Sequence, residues 1–318
     1  MRWRGRAETC ALSSCRTVAR LILEQDAQER PVDRESEHSS SQLLASDVYP
    51  LFKAYNSGRL RKNGSSMQVV SDPAHLDFAW KDQYQRVANY LGKFLPSAKY
   101  KLVEVGCGRG QFTIPVAKLN PDYRIIAVDN FAGPYSKSLK ALKRTLKKER
   151  LSERITVIVS DYLDWLSRQP ESRYDGVISS EFLCETDSKE MKTFFSQSCR
   201  ISKPRSLTMH SFLSPQARNQ EQRLVIEANL DPRWAKYPPK EWFSPVPKLV
   251  ASYLKKAGFV STRILGVKSN LRIVGEAAYK TLLDWNVNAA FGRKYKQRLV
   301  SRGLEIPDWI IVLGRKPN

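Results

Sequence analysis

From residue 101 onward short β-rich runs alternate with helical ones, and this alternation constrains the fold more than any other feature of the chain. Apolar segments rich in β-branched residues at 101–105, 124–129, 155–161, 174–180, 206–212 and 262–267 read as strands. The stretch after Gly110 and the segments 135–150, 189–200 and 247–257 read as helices. Strand, helix, strand in repetition predicts a parallel sheet with helices on both faces. One more strand is expected at 309–314, after a long and partly helical insertion.

Ahead of this core, Leu76, Trp80, Tyr84, Val87, Leu91 and Leu95 recur at spacings of three and four, the stripe of an amphipathic helix that Pro96 ends. The first 42 residues differ in kind. Arg2, Arg4, Arg6, Arg16 and Arg20 come early, and the polar stretch 24–41 with Pro31 has almost no large apolar residues. That composition predicts a disordered extension. Glu8 and Glu24 argue against a transit peptide, and an export signal would need an apolar core that is absent. The expected organisation is an extension at 1–42, a helical cap at 43–100 and a core domain at 101–318, with lid-like insertions at 215–244 and 269–302.

Composition narrows the function classes. The 318 residues suffice for one large domain, and no run approaches the roughly 18 apolar residues of a membrane-spanning helix. Cys10, Cys15, Cys107, Cys184 and Cys199 show no Cys-x-x-Cys spacing. With only His38, His75 and His210 beside them, no local zinc motif can be assembled, so no metal is expected. Reduced thiols point to the cytoplasm. The net charge is +21, and residues 201–318 hold 21 basic against 8 acidic side chains. Such a surface attracts anions, whether nucleic acid, acidic headgroups or a charged metabolite, without choosing among them.

The run Leu102-Val103-Glu104-Val105-Gly106-Cys107-Gly108-Arg109-Gly110 is a strand leading into a glycine-rich turn, with a helix expected from about Gln111. Glycines allow a tight turn and close backbone approach to a ligand, and the helix start offers free N–H groups. A dinucleotide fingerprint would place its third glycine at position 111, whereas this chain places it at 110. The strand at 124–129 ends in Asp129, where a doubly wound fold places the carboxylate that accepts hydrogen bonds from a ribose diol.

The glycine spacing, with Glu104 two positions before Gly106, resembles motif I of the class I S-adenosylmethionine-dependent methyltransferases. Asp161-Tyr162 after the strand at 155–160 is similar to the family's adenine-binding pair. Lys203-Pro204-Arg205-Ser206 looks like a variant of its Lys-Pro-Gly-Gly turn, lacking both glycines. The agreement runs from about residue 101 to 259. It implies an α/β, doubly wound, mostly parallel seven-stranded sheet with helices on both faces and an antiparallel last strand. It also implies S-adenosyl-L-methionine as cofactor: Glu104 orients the methionine end, Gly106, Gly108 and Gly110 cradle it, Asp129 holds the ribose, Asp161 the adenine amino group, and Tyr162 lines the ring. Asp161 could equally be no more than a helix cap.

Methyl transfer from a sulfonium is an in-line displacement in which the protein supplies alignment, exclusion of water and, for a protonated nucleophile, a base. Glu181, just after the strand at 174–180, is the candidate base, with a capping glutamate as the plain alternative. Glu185 and His210 are weaker candidates, His210 being read first as a strand histidine held by its neighbours. In the insertions, Trp234, Tyr237, Trp242 and Phe243 stand among Arg218, Arg223, Arg233 and Lys236. Leu282, Leu283, Trp285 and Phe291 stand beside Arg293, Lys294, Lys296 and Arg298. Both sets suit a lid over the acceptor. The acceptor expected is a small molecule, an anion being compatible with the charge. The runner-up is an RNA or protein methyltransferase using the basic last third. A non-catalytic binding protein on the same fold is the third reading.

Overall fold

The structure, a computed structural model, describes residues 67–132, 136–234, 244–284 and 287–318. The expected extension at 1–42, the first part of the cap, and Lys236, Tyr237, Trp242, Phe243 and Trp285 lie outside the described residues. In chain order the elements are β1 (Gln68–Val70), α1 (Leu76–Gly92), β2 (Tyr100–Val105), α2 (Thr113–Leu119), β3 (Tyr123–Asp129) and α3 (Ser138–Lys148). Then come β4 (Ile155–Val159), α4 (Tyr162–Ser167), β5 (Tyr174–Ser180), α5 (Ser188–Ile201), β6 (Ser202–Leu213) and α6 (Gln220–Leu230). Last are α7 (Pro247–Lys256), β7 (Val260–Val267), β8 (Leu271–Ile273), α8 (Gly275–Asp284), α9 (Ala289–Lys294), α10 (Lys296–Ser301), β9 (Leu304–Glu305) and β10 (Trp309–Arg315).

The main sheet runs β4-β3-β2-β5-β6-β10-β7. β2 pairs parallel with β3 and β5, β3 with β4, and β5 with β6, while β10 is antiparallel to both β6 and β7. Six strands therefore share one direction and the last is reversed, as expected. Leu102, Val103, Val105, Val177, Ile178 and Met209 are all buried, because strands covered on both faces need apolar residues at successive positions. Trp309, Phe194, Phe195 and Phe212 are fully buried, each stabilising the fold by roughly 1.5–3 kcal/mol through removal from water.

Helix boundaries follow local chemistry. α5 starts with a capping box between Asp187 and Glu190, and α7 with Pro247 in its first turn. α1 stops at Gly92 rather than at Leu95, because Phe94 N–H turns back to Leu91 O at 2.9 Å, yet Leu95 is still buried. α2 begins at Thr113 rather than Gln111, after Gly110 N–H has closed the preceding turn onto Cys107 O at 2.7 Å. The segment 203–206 belongs to β6 itself rather than to a separate turn. Arg205 holds φ +63° where the family pattern has glycine, a conformation that costs an L-residue roughly 1–2 kcal/mol.

A second sheet, β1-β8-β9, joins the segment before the core to the second insertion, with β1 parallel to β8 and β9 antiparallel to it. Gln83 of α1 donates to Asn270 Oδ1 at 2.8 Å. The insertions are also tied to each other and to the core. Arg218 pairs with Glu305 and lies 3.4 Å from Asp308, Asn219 donates to Glu305 at 2.8 Å, and Ser214 N–H donates to Asp308 O at 2.6 Å. Glu305 and Asp308 are buried, so this cluster holds two carboxylates against one guanidinium. Trp234 stacks edge-on against Phe291 at 5.7 Å, and its carbonyl accepts from Asn288 N–H.

Candidate active site at the carboxyl edge of the sheet

The chain leaves β2 through a turn in which Gly106, Gly108 and Gly110 have φ of +75°, +48° and +77°. At Gly106 two constraints coincide, since a Cβ would also lie 2.6 Å from Phe182 Cδ2. At Gly108 a Cβ would meet nothing within 4 Å, so this part of the turn faces open space and leaves room for a ligand against bare backbone.

The turn is fastened to the next strand. Gly106 N–H donates to Val128 O at 2.9 Å and Gly108 N–H to Asp129 Oδ2 at 2.8 Å, while Asp129 Oδ1 accepts from Phe131 N–H at 2.7 Å. Ser160 N–H donates to Asp129 O at 3.1 Å, bringing Asp161 to the same edge. Asp161 Oδ1 accepts from Leu163 and Asp164 N–H at 2.9 and 3.0 Å. It therefore caps α4, the plain alternative read from the sequence, and this leaves its second oxygen for other partners.

Beneath the turn, Glu104 is 1% exposed and its Oε2 has no hydrogen-bond partner. Burial pushes its carboxyl up to about 8. The Thr113 hydroxyl at the start of α2 holds that carboxyl partly down, and Ser138 Oγ at the start of α3 is buried without a partner. Orphaned polar atoms of this kind call for an absent partner. A ligand with an ammonium group, lying along an uncovered backbone turn beside an acidic strand end, supplies one. These residues fit S-adenosyl-L-methionine.

Tyr162 opens α4 and packs edge-on against Phe182 at 4.8 Å. Its hydroxyl is buried without a partner, and desolvation raises the phenol well above its ordinary value. Phe182 was not singled out in the sequence, although it touches the glycine turn, Tyr162 and Phe194 at once. Its signal was an aromatic residue directly after the carboxylate of interest, which has meaning only once β2 and β5 are known to be neighbours.

Glu181 follows β5 with φ +55°, a left-handed conformation rare for glutamate. Its N–H donates to Ser211 O at 2.8 Å, and its Oε1 accepts from Leu213 N–H at 2.7 Å. Burial pushes its carboxyl up to about 7, with the Leu213 hydrogen bond holding it partly down. His210 is different: Ser179 and Thr208 hydroxyls occupy its two ring nitrogens at 2.9 and 2.8 Å. Burial lowers it to about 3, so it is a neutral structural residue. Glu185 is exposed in the short 3₁₀ turn Leu183–Glu185.

Among the described residues no group of three or more His, Cys, Asp or Glu side chains forms a metal site, and no helix is long and apolar enough to cross a membrane.

A family model described as a methyltransferase domain matches residues 102–205. No curated protein sequence matches significantly. Among solved structures, the S-adenosylmethionine-dependent methyltransferase SibL in its apo form is similar, with a TM-score of 0.52 and 14% identity, over 76% of this chain and 57% of its own. A SAM-dependent methyltransferase from Archaeoglobus fulgidus aligns over 76% of this chain and all of its own, at 20% identity and a TM-score of 0.47. A phosphoethanolamine N-methyltransferase 2 from Haemonchus contortus, solved with S-adenosyl-L-methionine, aligns at 14% identity over 74% of this chain and 53% of its own, with a TM-score of 0.49. The matched segment opens on the strand that leads into the glycine turn and ends in β6, so over residues 102–205 the chain is similar to a methyltransferase domain.

Proposed function

We propose that this enzyme methylates a small-molecule acceptor at the carboxyl edge of the sheet, with Glu181 as the base. In that reading Glu104, Gly106, Gly108 and Gly110 hold the methionine portion of the cofactor. Asp129 holds the ribose, Asp161 with its second oxygen the adenine amino group, and Tyr162 the face of the ring. The bound cofactor supplies an electrophilic methyl group. Glu181 takes the proton that the acceptor's nucleophilic atom loses, and its anchorage to Leu213 N–H keeps the carboxylate in one orientation.

The observation that carries the reading is Glu181 itself. A non-glycine residue held at φ +55° beside a strand end, with a half-buried carboxyl poised near neutrality, is costly for a merely structural position. Such strain concentrates at functional sites. The small-molecule reading rests on topology. The insertions leave from the ends of β6 and β7, and β10 returns from that same edge, so both rise from the edge that carries the glycine turn. Their mutual contacts, through Trp234 and Phe291, suit an enclosed site rather than an open track for a polymer.

Incubation with methyl-labelled S-adenosylmethionine and fractionated metabolites, RNA and protein tests this. Label in the low-molecular-weight fraction is expected, lost in Glu181→Gln. Label confined to RNA or protein would refute the small-molecule acceptor.

A further inference from the structure

At the opposite edge of the sheet lies a cleft of about 440 Å³ that the methyl-transfer reading does not use. It is lined by the start of β2 (Tyr100), by Lys203, Arg205 and Ser206 of β6, by Arg315 at the end of β10, and by Phe94. Parallel strands place these positions a strand's length from the glycine turn, about 20 Å for seven residues. Asp175 is the acidic group in the lining, and it is already taken by Lys203 Nζ at 2.7 Å and Lys101 N–H at 2.8 Å. Arg205 and Arg315 form no ion pair among the described residues. Arg315 donates to Arg205 O at 3.3 Å, and Arg205 to the side chain of Asn318.

Two observations go beyond a basic surface. Ser206 is 3% exposed and its hydroxyl has no hydrogen-bond partner, although it lines the cleft. Arg205 holds φ +63°. These are the two positions where the family pattern carries glycines, so a strained arginine and an unsatisfied hydroxyl stand where a strain-free turn would need neither. Guanidinium groups present paired donors that match an oxyanion, and a buried hydroxyl can donate to the same group. Phe94 and Tyr100 supply an aromatic wall, and the volume exceeds what a lone phosphate fills.

We propose that this cleft is a second ligand site, separate from the cofactor's, that binds a small organic oxyanion by Arg205, Arg315 and Ser206, with the ligand's apolar body against Phe94 and Tyr100.

Calorimetric titration with phenyl phosphate, benzoate and inorganic phosphate tests it, each with and without saturating S-adenosylhomocysteine. Phenyl phosphate is expected to bind equally in both conditions. Benzoate is expected to bind too, and its failure would overturn the general oxyanion class in favour of phosphates alone. Arg205→Gly is the informative variant, since glycine suits the backbone there and should fold with an equal or higher melting temperature. It should bind phenyl phosphate about tenfold more weakly or worse, having lost a charge-assisted donor. No binding by any probe, unchanged affinity in Arg205→Gly, or displacement by S-adenosylhomocysteine would each overturn the proposal. Inorganic phosphate binding as tightly as phenyl phosphate would overturn the role given to the aromatic wall.

Discussion

Gly108 N–H donates to Asp129 Oδ2 at 2.8 Å, so the carboxylate at the end of β3 fixes the uncovered part of the turn that follows β2. Asp129 thus acts on the loop before it acts on any ligand. Asp129→Ala removes this bond and that from Phe131 N–H. It is expected to destabilise the fold and weaken S-adenosylhomocysteine binding by about 1–3 kcal/mol each, read by urea denaturation and calorimetry. Unchanged affinity would contradict the ribose role.

The glycines should separate folding from binding. Gly106→Ala meets Phe182 at 2.6 Å in a left-handed backbone and should lose roughly 2 kcal/mol of stability or more. Gly108→Ala pays only the backbone strain of roughly 1–2 kcal/mol, because its Cβ would enter open space. If that space is the cofactor's, Gly108→Ala should show the larger affinity loss for its stability loss.

Glu104 sits near 8 because it is buried, so it is mostly neutral at pH 7. An ammonium bound beside it favours the carboxylate, and cofactor binding should release up to one proton. Titrations of S-adenosylhomocysteine in buffers of different ionisation enthalpy should give different apparent heats, and in Glu104→Gln that difference should vanish.

For Glu181 the folded carboxyl lies near 7, above the ordinary 4.5. A raised acid contributes stability that is present in full below its unfolded value and is lost as pH rises through the folded one. Glu181→Gln should therefore match the wild type near pH 4.5 and exceed its stability by about 1–3 kcal/mol at about pH 8. Its kcat should fall roughly 10²–10⁴-fold if Glu181 is the base, with the rise in rate through pH 7 abolished. A stability gain with kcat intact would leave Glu181 structural.

Arg218 is the cation between Glu305 and Asp308. Arg218→Met strands two buried carboxylates and should cost about 3–5 kcal/mol at neutral pH. Burial already raises Asp308, so protonation at acid pH should recover part of that loss, measurable by denaturation at both pH values.

Periodicity and spacing alone determined the alternating core, the glycine turn and Asp129 at the next strand end, because these are local: each depends on a few successive residues meeting one backbone requirement. Through its resemblance to motif I of the class I S-adenosylmethionine-dependent methyltransferases, the turn with Glu104 two positions upstream implied the cofactor as well. What only the tertiary structure decided depends on residues far apart in the chain. Burial keeps His210 neutral while Ser179 reaches its Nδ1 from the neighbouring strand, Phe182 packs on Gly106 because β5 lies beside β2, and Leu213 N–H reaches Glu181 across a strand boundary. The left-handed backbones of Glu181 and Arg205 were equally invisible, since local propensity disfavours them and only the surrounding packing imposes them. The meeting of the two insertions through Trp234 and Phe291 joins residues 57 positions apart, a distance over which no sequence period operates.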